Sequence, residues 1–223
     1  MIHRYSVVDS TQAVARDLVV RGTGACWDVV VANTQSVGRG RRGRVWRSPT
    51  GGLYATWILP SDPLISIRAG TAVARALIEL GCSVGLKWPN DVLVGDKKVA
   101  GLLVEVVDAI ALVGIGVNRN CEPCSEATSL RRQGVMASVD AVIHAIDREL
   151  RVARLDHEVL AAYRRMLLTL GKRVCIEHEN GTETMGVAAD IDGLGRLVVD
   201  DGTSRVLVTA GRCVHLWHAV HAD

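Results

Sequence analysis

Four apolar runs set the limits on what this chain can become. They are Trp27–Asn33, Leu53–Leu59, Lys98–Val106 and Ala109–Val117, rich in Val, Leu, Ile and Ala. Short apolar runs bounded by turn residues read as buried strands. Only one long amphipathic helix, Ile65–Leu80, stands among them, ended by Gly81 as a C′ residue. Strands with so few crossover helices must mostly fold back on their neighbours. The expected class is therefore α+β, a mixed and mostly antiparallel sheet flanked by helices, not a doubly wound parallel one.

The rest of the chain fits around that sheet. Arg4–Val8 reads as a first strand. Asp9-Ser10-Thr11 opens a helix with Ala13, Val14, Leu18 and Val19 on its apolar face, and Ser10 suits the N-cap. Val84–Trp88 reads as a short strand, and Asp91–Val94 pairs with Lys98–Val106 as a hairpin around Gly95-Asp96-Lys97. Residues 138–153 and 156–170 carry helical periodicity. At Gly171-Lys172 the pattern changes. Residues 173–216 alternate apolar and polar, with turns at Asn180-Gly181, Asp192-Gly193 and Asp201-Gly202, as expected of a small all-β barrel. Two domains are expected, 1–170 and 171–223.

Charge is concentrated at one place. The net charge is only +2, yet Gly38–Trp46 reads GRGRRGRVW, with Arg39, Arg41, Arg42 and Arg44 among three glycines. Glycine lets backbone N–H groups approach a ligand closely, and arginine offers a planar fork for carboxylate or phosphate oxygens. A general nucleic-acid binder would show a broader basic face. The start MIHRYSVVDS lacks the apolar run of a secretory signal. No window approaches the roughly 18 uninterrupted apolar residues of a membrane helix. The six cysteines therefore read as reduced thiols of a cytoplasmic protein. Cys121 and Cys124 form a C-x-x-C without the second pair that a zinc site needs, so no fixed protein metal site is expected.

A second cluster, Lys87-Trp88-Pro89-Asn90-Asp91, precedes Lys98-Val99-Ala100-Gly101. A lysine among Val, Ala, Gly and Leu either faces solvent from one side of its strand or aims a cation into a pocket. Gly101, Gly114 and Gly116 offer walls without side chains for a flat ligand. Ser10 and Thr11 sit at a strand-to-helix mouth, where small polar ligands are held.

The order GRGRRGRVW, KWPND, KVAGLLVE, GIGVN and ATSL (Ala127–Leu130) resembles the biotin–protein ligases, from about Ser10 to the C-terminal β module. The resemblance implies a catalytic domain related to class II aminoacyl-tRNA synthetases, followed by an SH3-like barrel. It implies that biotin and ATP, with Mg²⁺, form biotinyl-5′-AMP and pyrophosphate. Biotin then passes to one lysine of a biotin carboxyl carrier protein. The chain begins at the catalytic domain, as in the ligase-only class, so DNA binding is not implied; a homodimer stays open.

The resemblance also implies roles. Ser10, Thr11 and Gln35, with main-chain groups near Gly38 and Arg39, resemble the set that holds the ureido ring. Gly101, Leu103, Gly114 and Gly116 would wall the thiophane and valeryl chain. Arg41 and Lys98 would clamp the reacting carboxylate and α-phosphate, so both serve biotin and nucleotide. Arg39 and Arg44 would hold phosphates or order the loop, Trp46 would close over the adenylate, and Asn118 would serve the nucleotide. Asp91 would orient or deprotonate the incoming lysine. The loop is expected to be poorly ordered until the intermediate binds, since a mixed anhydride must be kept from water. Three other readings compete: a lipoate–protein ligase of the same fold, a nucleic-acid-binding module using the basic loop, and a non-catalytic biotin binder.

Overall fold

A computed structural model of the protein describes residues 1–216; residues 217–223, the end of the expected second domain, lie outside the described residues. The elements run β1 (Ile2–Val8), α1 (Thr11–Val20), β2 (Val29–Gln35), β3 (Leu53–Pro60), α2 (Ile65–Glu79), β4 (Gly85–Lys87), β5 (Asp91–Val94), β6 (Lys97–Val107), β7 (Ile110–Val117), α3 (Val139–Arg151) and α4 (Asp156–Met166). Five strands follow: β8 (Arg173–Glu177), β9 (Glu183–Ile191), β10 (Leu197–Asp200), β11 (Arg205–Val208) and β12 (Arg212–His215).

The first seven strands form one sheet in the order β1-β2-β3-β7-β6-β5-β4. Only β1 and β2 pair in parallel, because α1 carries the chain from one to the other. Every other ladder is antiparallel, as the scarcity of crossover helices requires. Residue alternation decides what each face meets. Val29, Val31, Ala55 and Trp57 point into a large core with α2, α3 and α4. Val30, Ile58 and Leu112 point the other way, against Ala15 of α1. The inner strand β3 is covered on both faces, so Leu53–Leu59 is apolar almost throughout and buried.

The smaller sheet runs β11-β10-β9-β8-β12, all antiparallel. Its two edges are joined by Thr209-Ala210-Gly211 alone. Four residue steps reach at most ~14 Å, whereas the edges of a flat five-stranded sheet lie ~19 Å apart. The sheet must therefore curl strongly, which gives the expected barrel-like shape. Among the described residues β11 and β12 form no ladder with each other, so the roll stays open along one seam. A side chain at Gly211 would overlap Ile176 of β8, which is why the tight return needs glycine there.

Three local expectations change. Ser10 is extended at the head of α1, but its side chain makes no cap hydrogen bond. The β2 strand starts at Val29, because Trp27 adopts φ 74° and breaks the extended run. The last helix stops at Met166, not Leu170. Residues beyond it run beside β4 instead: Leu168 N–H donates to Leu86 O at 2.8 Å. There the Thr169 hydroxyl accepts from Trp88 N–H at 3.0 Å, so the segment satisfies an edge strand that a helix would leave open.

Candidate active site

A cleft opens on the α1 side of the large sheet, where the head of α1, the basic loop and strands β3, β7 and β6 converge. Its floor is polar and satisfied. Thr11 N–H donates to Gln35 Oε1 at 2.8 Å, tying the first turn of α1 to the end of β2. Gln35 Nε2 donates to Ser48 Oγ at 2.8 Å, and Ser48 Oγ donates to Trp46 O at 3.1 Å. Thr56 Oγ1 of β3 lies 2.9 Å from Thr11 Oγ1 and 3.1 Å from Gln12 Oε1. Gln12 Nε2 donates to Leu112 O at 3.0 Å. Ser10, Thr11, Gln12 and Thr56 are all buried, so each polar atom here needs a partner of the protein or a ligand. The Ser10 hydroxyl, not spent on a cap, faces this space.

One wall is a glycine surface. Register pairs Gly101 of β6 with Gly116 of β7, and Leu103 with Gly114. The Trp46 indole lies on Gly101 and Gly116, and a Cβ at Gly116 would overlap the ring. A Cβ at Gly114 would come 2.7 Å from Gln12 Oε1. The glycines thus do two things: they seat the indole and leave room for the polar floor.

Cations form the rim. Arg39, Arg41, Arg44 and Lys98 all line the cleft. Lys98 Nζ stands 5.0 Å from the Trp46 ring centroid and 2.5 Å from Asp91 Oδ1, with both charged side chains about two-thirds buried. The Arg41 guanidinium is 3.4 Å from Asn90 Oδ1. Burial, and then the neighbouring charge of Arg42, pull Arg41 below its ordinary value, while Asp91 opposes that shift. The loop that carries these arginines is closed on itself: Gly40 N–H donates to Arg44 O at 2.7 Å and Trp46 N–H to Gly38 O at 2.9 Å.

Of the residues expected from the sequence, Ser10, Thr11, Gln35, Arg39, Arg41, Arg44, Trp46, Lys98, Gly101, Leu103, Gly114 and Gly116 line this one cleft. Three do not. Gly38 is buried at the loop base, where a Cβ would overlap Trp46 O. Asp91 stands behind Lys98 as its ion-pair partner. Asn118 is buried below the Lys98 strand, its Nδ2 donating to Lys98 O at 3.1 Å and its Oδ1 without a partner. Gln12, Thr56 and Asn90 also line the cleft and were missed. Asn90 lies inside the quoted KWPND motif; Gln12 and Thr56 gave no signal beyond following Ser10-Thr11 and interrupting an apolar strand. Trp88 of that motif faces away, buried, its indole N–H donating at 3.2 Å to Gly195 O in the turn between β9 and β10.

These features define a cleft for a small polar ligand that meets anionic groups at a cationic rim, and comparison with known proteins agrees. Residues 5–120 match the Biotin/lipoate A/B protein ligase family, and residues 169–216 match the Biotin protein ligase C terminal domain. The chain belongs to the Biotin/lipoate A/B protein ligase family. It is 36% identical over 234 residues to a biotin–[acetyl-CoA-carboxylase] ligase of Mycobacterium tuberculosis, covering 94% of this chain and 88% of the relative. A ligase of the same name from Paracoccus denitrificans is 32% identical over 231 residues, covering 91% and 95%. Among solved structures, the biotin protein ligase of Aquifex aeolicus in complex with biotin and ATP is similar at TM-score 0.79 and 28% identity, covering 96% of this chain and 97% of that one.

Proposed function

We propose that the protein is an ATP-dependent, AMP-forming biotin–protein ligase. It converts biotin and ATP to biotinyl-5′-AMP and pyrophosphate, then transfers biotin to one lysine of a biotin carboxyl carrier protein. The observation that carries this reading is the cleft itself, where an uncharged hydrogen-bonding floor, a glycine wall and four cations meet. The Mycobacterium tuberculosis relative bears that name, and the Aquifex aeolicus structure holds both biotin and ATP.

The chemistry follows from where the groups stand. A ureido ring has both donors and a carbonyl acceptor, and matches the floor of Ser10, Thr11, Gln12, Gln35 and Thr56. Lipoate has no such ring and would leave the Ser10 hydroxyl, which makes no cap hydrogen bond, without a ligand partner. This favours biotin over the lipoate reading. The carboxylate of biotin must attack the α-phosphorus as pyrophosphate leaves. Arg41 and Lys98 neutralise the approaching anions and the charge that grows on the phosphoryl oxygens. In the second step the carrier lysine nitrogen attacks the anhydride carbonyl and AMP departs. Of the two roles expected for Asp91, orienting or deprotonating the incoming lysine, its ion pair with Lys98 at 2.5 Å favours the orienting one. Arg39 and Arg44 add charge at the rim, Trp46 covers the intermediate, and Gly38 shapes the loop base.

Mg²⁺ enters with ATP as part of that substrate and supplies charge neutralisation on the phosphates. Such an ion takes oxygen donors; Asn118 Oδ1 is partnerless but buried outside the cleft, so the phosphate oxygens of ATP would carry the ion. Among the described residues no cluster of three His, Cys, Asp or Glu stands ready to hold a metal of its own. The domain division at 170/171, a cytoplasmic location, and further tightening of the already closed loop by the intermediate belong to the same proposal. No described helix is long and apolar enough to cross a membrane.

The test is pyrophosphate release on mixing the protein with ATP, Mg²⁺ and either biotin or lipoate. Release with biotin and not with lipoate is expected. Release with lipoate alone, or with neither, overturns the reading.

A further inference from the structure

The four loop arginines do not act together. Arg39, Arg41 and Arg44 line the cleft, but Arg42 does not. It adopts φ 57° and ψ 41°, a left-handed backbone that is uncommon for a residue other than glycine and that turns its side chain out of the cleft. The guanidinium crosses to the small C-terminal sheet. Its Nη1 donates to Glu177 O, the last residue of β8, at 2.8 Å. Its Nε lies 3.5 Å from Glu179 Oε1 in the turn that follows. The Arg42 side chain is only 20% exposed, whereas Glu179 is 77% exposed, so the carbonyl contact is the sheltered one. Glu177 is fixed in turn: both its carboxylate oxygens lie 3.1 Å from Arg212 Nη1 of β12. The end of β8 is thus a rigid anchor on a different module from the one that holds the ligand cleft.

We propose that Arg42 is a positioning residue that latches the basic loop to the C-terminal module through the Glu177 carbonyl and Glu179. The latch carries the neighbouring Arg41 with it, since the two are adjacent on a loop closed by the Gly40–Arg44 hydrogen bond. The C-terminal module thereby holds the lid shut over the reactive intermediate until the carrier arrives. This role rests on the ligase reading above, but the contact itself does not.

The test compares the parent with Arg42→Asn, Glu179→Gln and the double variant. Asparagine tolerates the left-handed backbone, so the latch is removed without forcing a new loop conformation. Amide hydrogen exchange over residues 38–46 is measured first, without substrate. The half-life of bound biotinyl-AMP is measured second, after free biotin and ATP are removed.

Arg42→Asn is expected to speed exchange and shorten the half-life about tenfold, the scale of one charge-assisted hydrogen bond. The pyrophosphate burst and the KM for biotin should stay within about threefold, as for a group that does not touch the reacting atoms. Glu179→Gln should cost about twofold, being exposed. The double variant should be no worse than Arg42→Asn, because both changes act through one contact. Unchanged exchange in Arg42→Asn overturns the latch. So does a collapsed burst with normal retention, which would make Arg42 a phosphate ligand, and so do fully additive effects. If the parent forms no biotinyl-AMP, the ligase reading fails, while the exchange measurement still decides the latch.

Discussion

Replacing Lys98 with alanine probes the site most directly. The substitution removes one of the two cations proposed to meet the reacting anions, a loss that typically costs about 10²–10³ in rate. The structure puts the effect at the severe end, because the change also strips Asp91 of its partner 2.5 Å away. An unpaired carboxylate ~5 Å from a phosphate oxygen repels it by ~3 kcal/mol at an effective dielectric of ~20. The Lys98 and Asp91 side chains are 31% and 26% exposed, so water enters and screens the pair. About 1 kcal/mol of that repulsion should survive, the scale of exposed pairs. Lys98→Ala is thus expected to slow the pyrophosphate burst about 10³-fold, and Asp91→Asn in that background to restore roughly fivefold. Biotin affinity should fall by less than about tenfold, since Lys98 makes no contact with the polar floor. Rapid-quench measurement of pyrophosphate and calorimetric titration of biotin read the two quantities separately. A Lys98→Ala protein as fast as the parent refutes the reasoning, as does a loss of biotin affinity that matches the loss of rate.

Other outcomes follow from the same contacts. Arg41→Ala should release or hydrolyse biotinyl-AMP about tenfold faster, seen by chase of labelled intermediate, since a half-buried cation of the cleft is lost. Gly116→Ala should push Trp46 off the glycine wall and raise the KM for ATP roughly three- to tenfold, the worth of one aromatic contact. Trp88→Phe should lower stability by about 1 kcal/mol in urea unfolding, since the indole bond to Gly195 O joins the two modules. His215 makes stability depend on pH. Burial, then the charges of Lys87 and Lys172, lower its pKa to about 4 from 6.5. The native state therefore resists protonation, and stability present above about pH 6.5 is lost as pH falls toward 4. The loss should be about 1–2 kcal/mol once solvent screening of this half-buried ring is allowed for. Thermal melts of the parent should show it, and His215→Gln should flatten that slope.

Local signals were enough for the elements and for most of the cleft. The apolar runs, the helix closed by Gly81 and the turns after Gly171 follow from periodicity and turn chemistry, which act over a few residues. The basic loop, KWPND, Lys98 and the glycines of β6 and β7 were legible because their residue types are unusual where they stand. Gln12 and Thr56 were not, since a glutamine in a first helical turn and a threonine in a strand are ordinary until register places them 3.1 Å apart.

The chain's own order of residues determined an α+β sheet protein with a cation-rich loop. The tertiary structure alone decided how those cations divide. Arg41 and Lys98 face one cleft, Asp91 stands behind Lys98, and Arg42 leaves its neighbours for Glu177, 135 positions away in sequence. The reason is geometric. A side chain's direction depends on a backbone angle such as the φ of Arg42, and on ladder registers set by long-range packing that no short window of sequence contains.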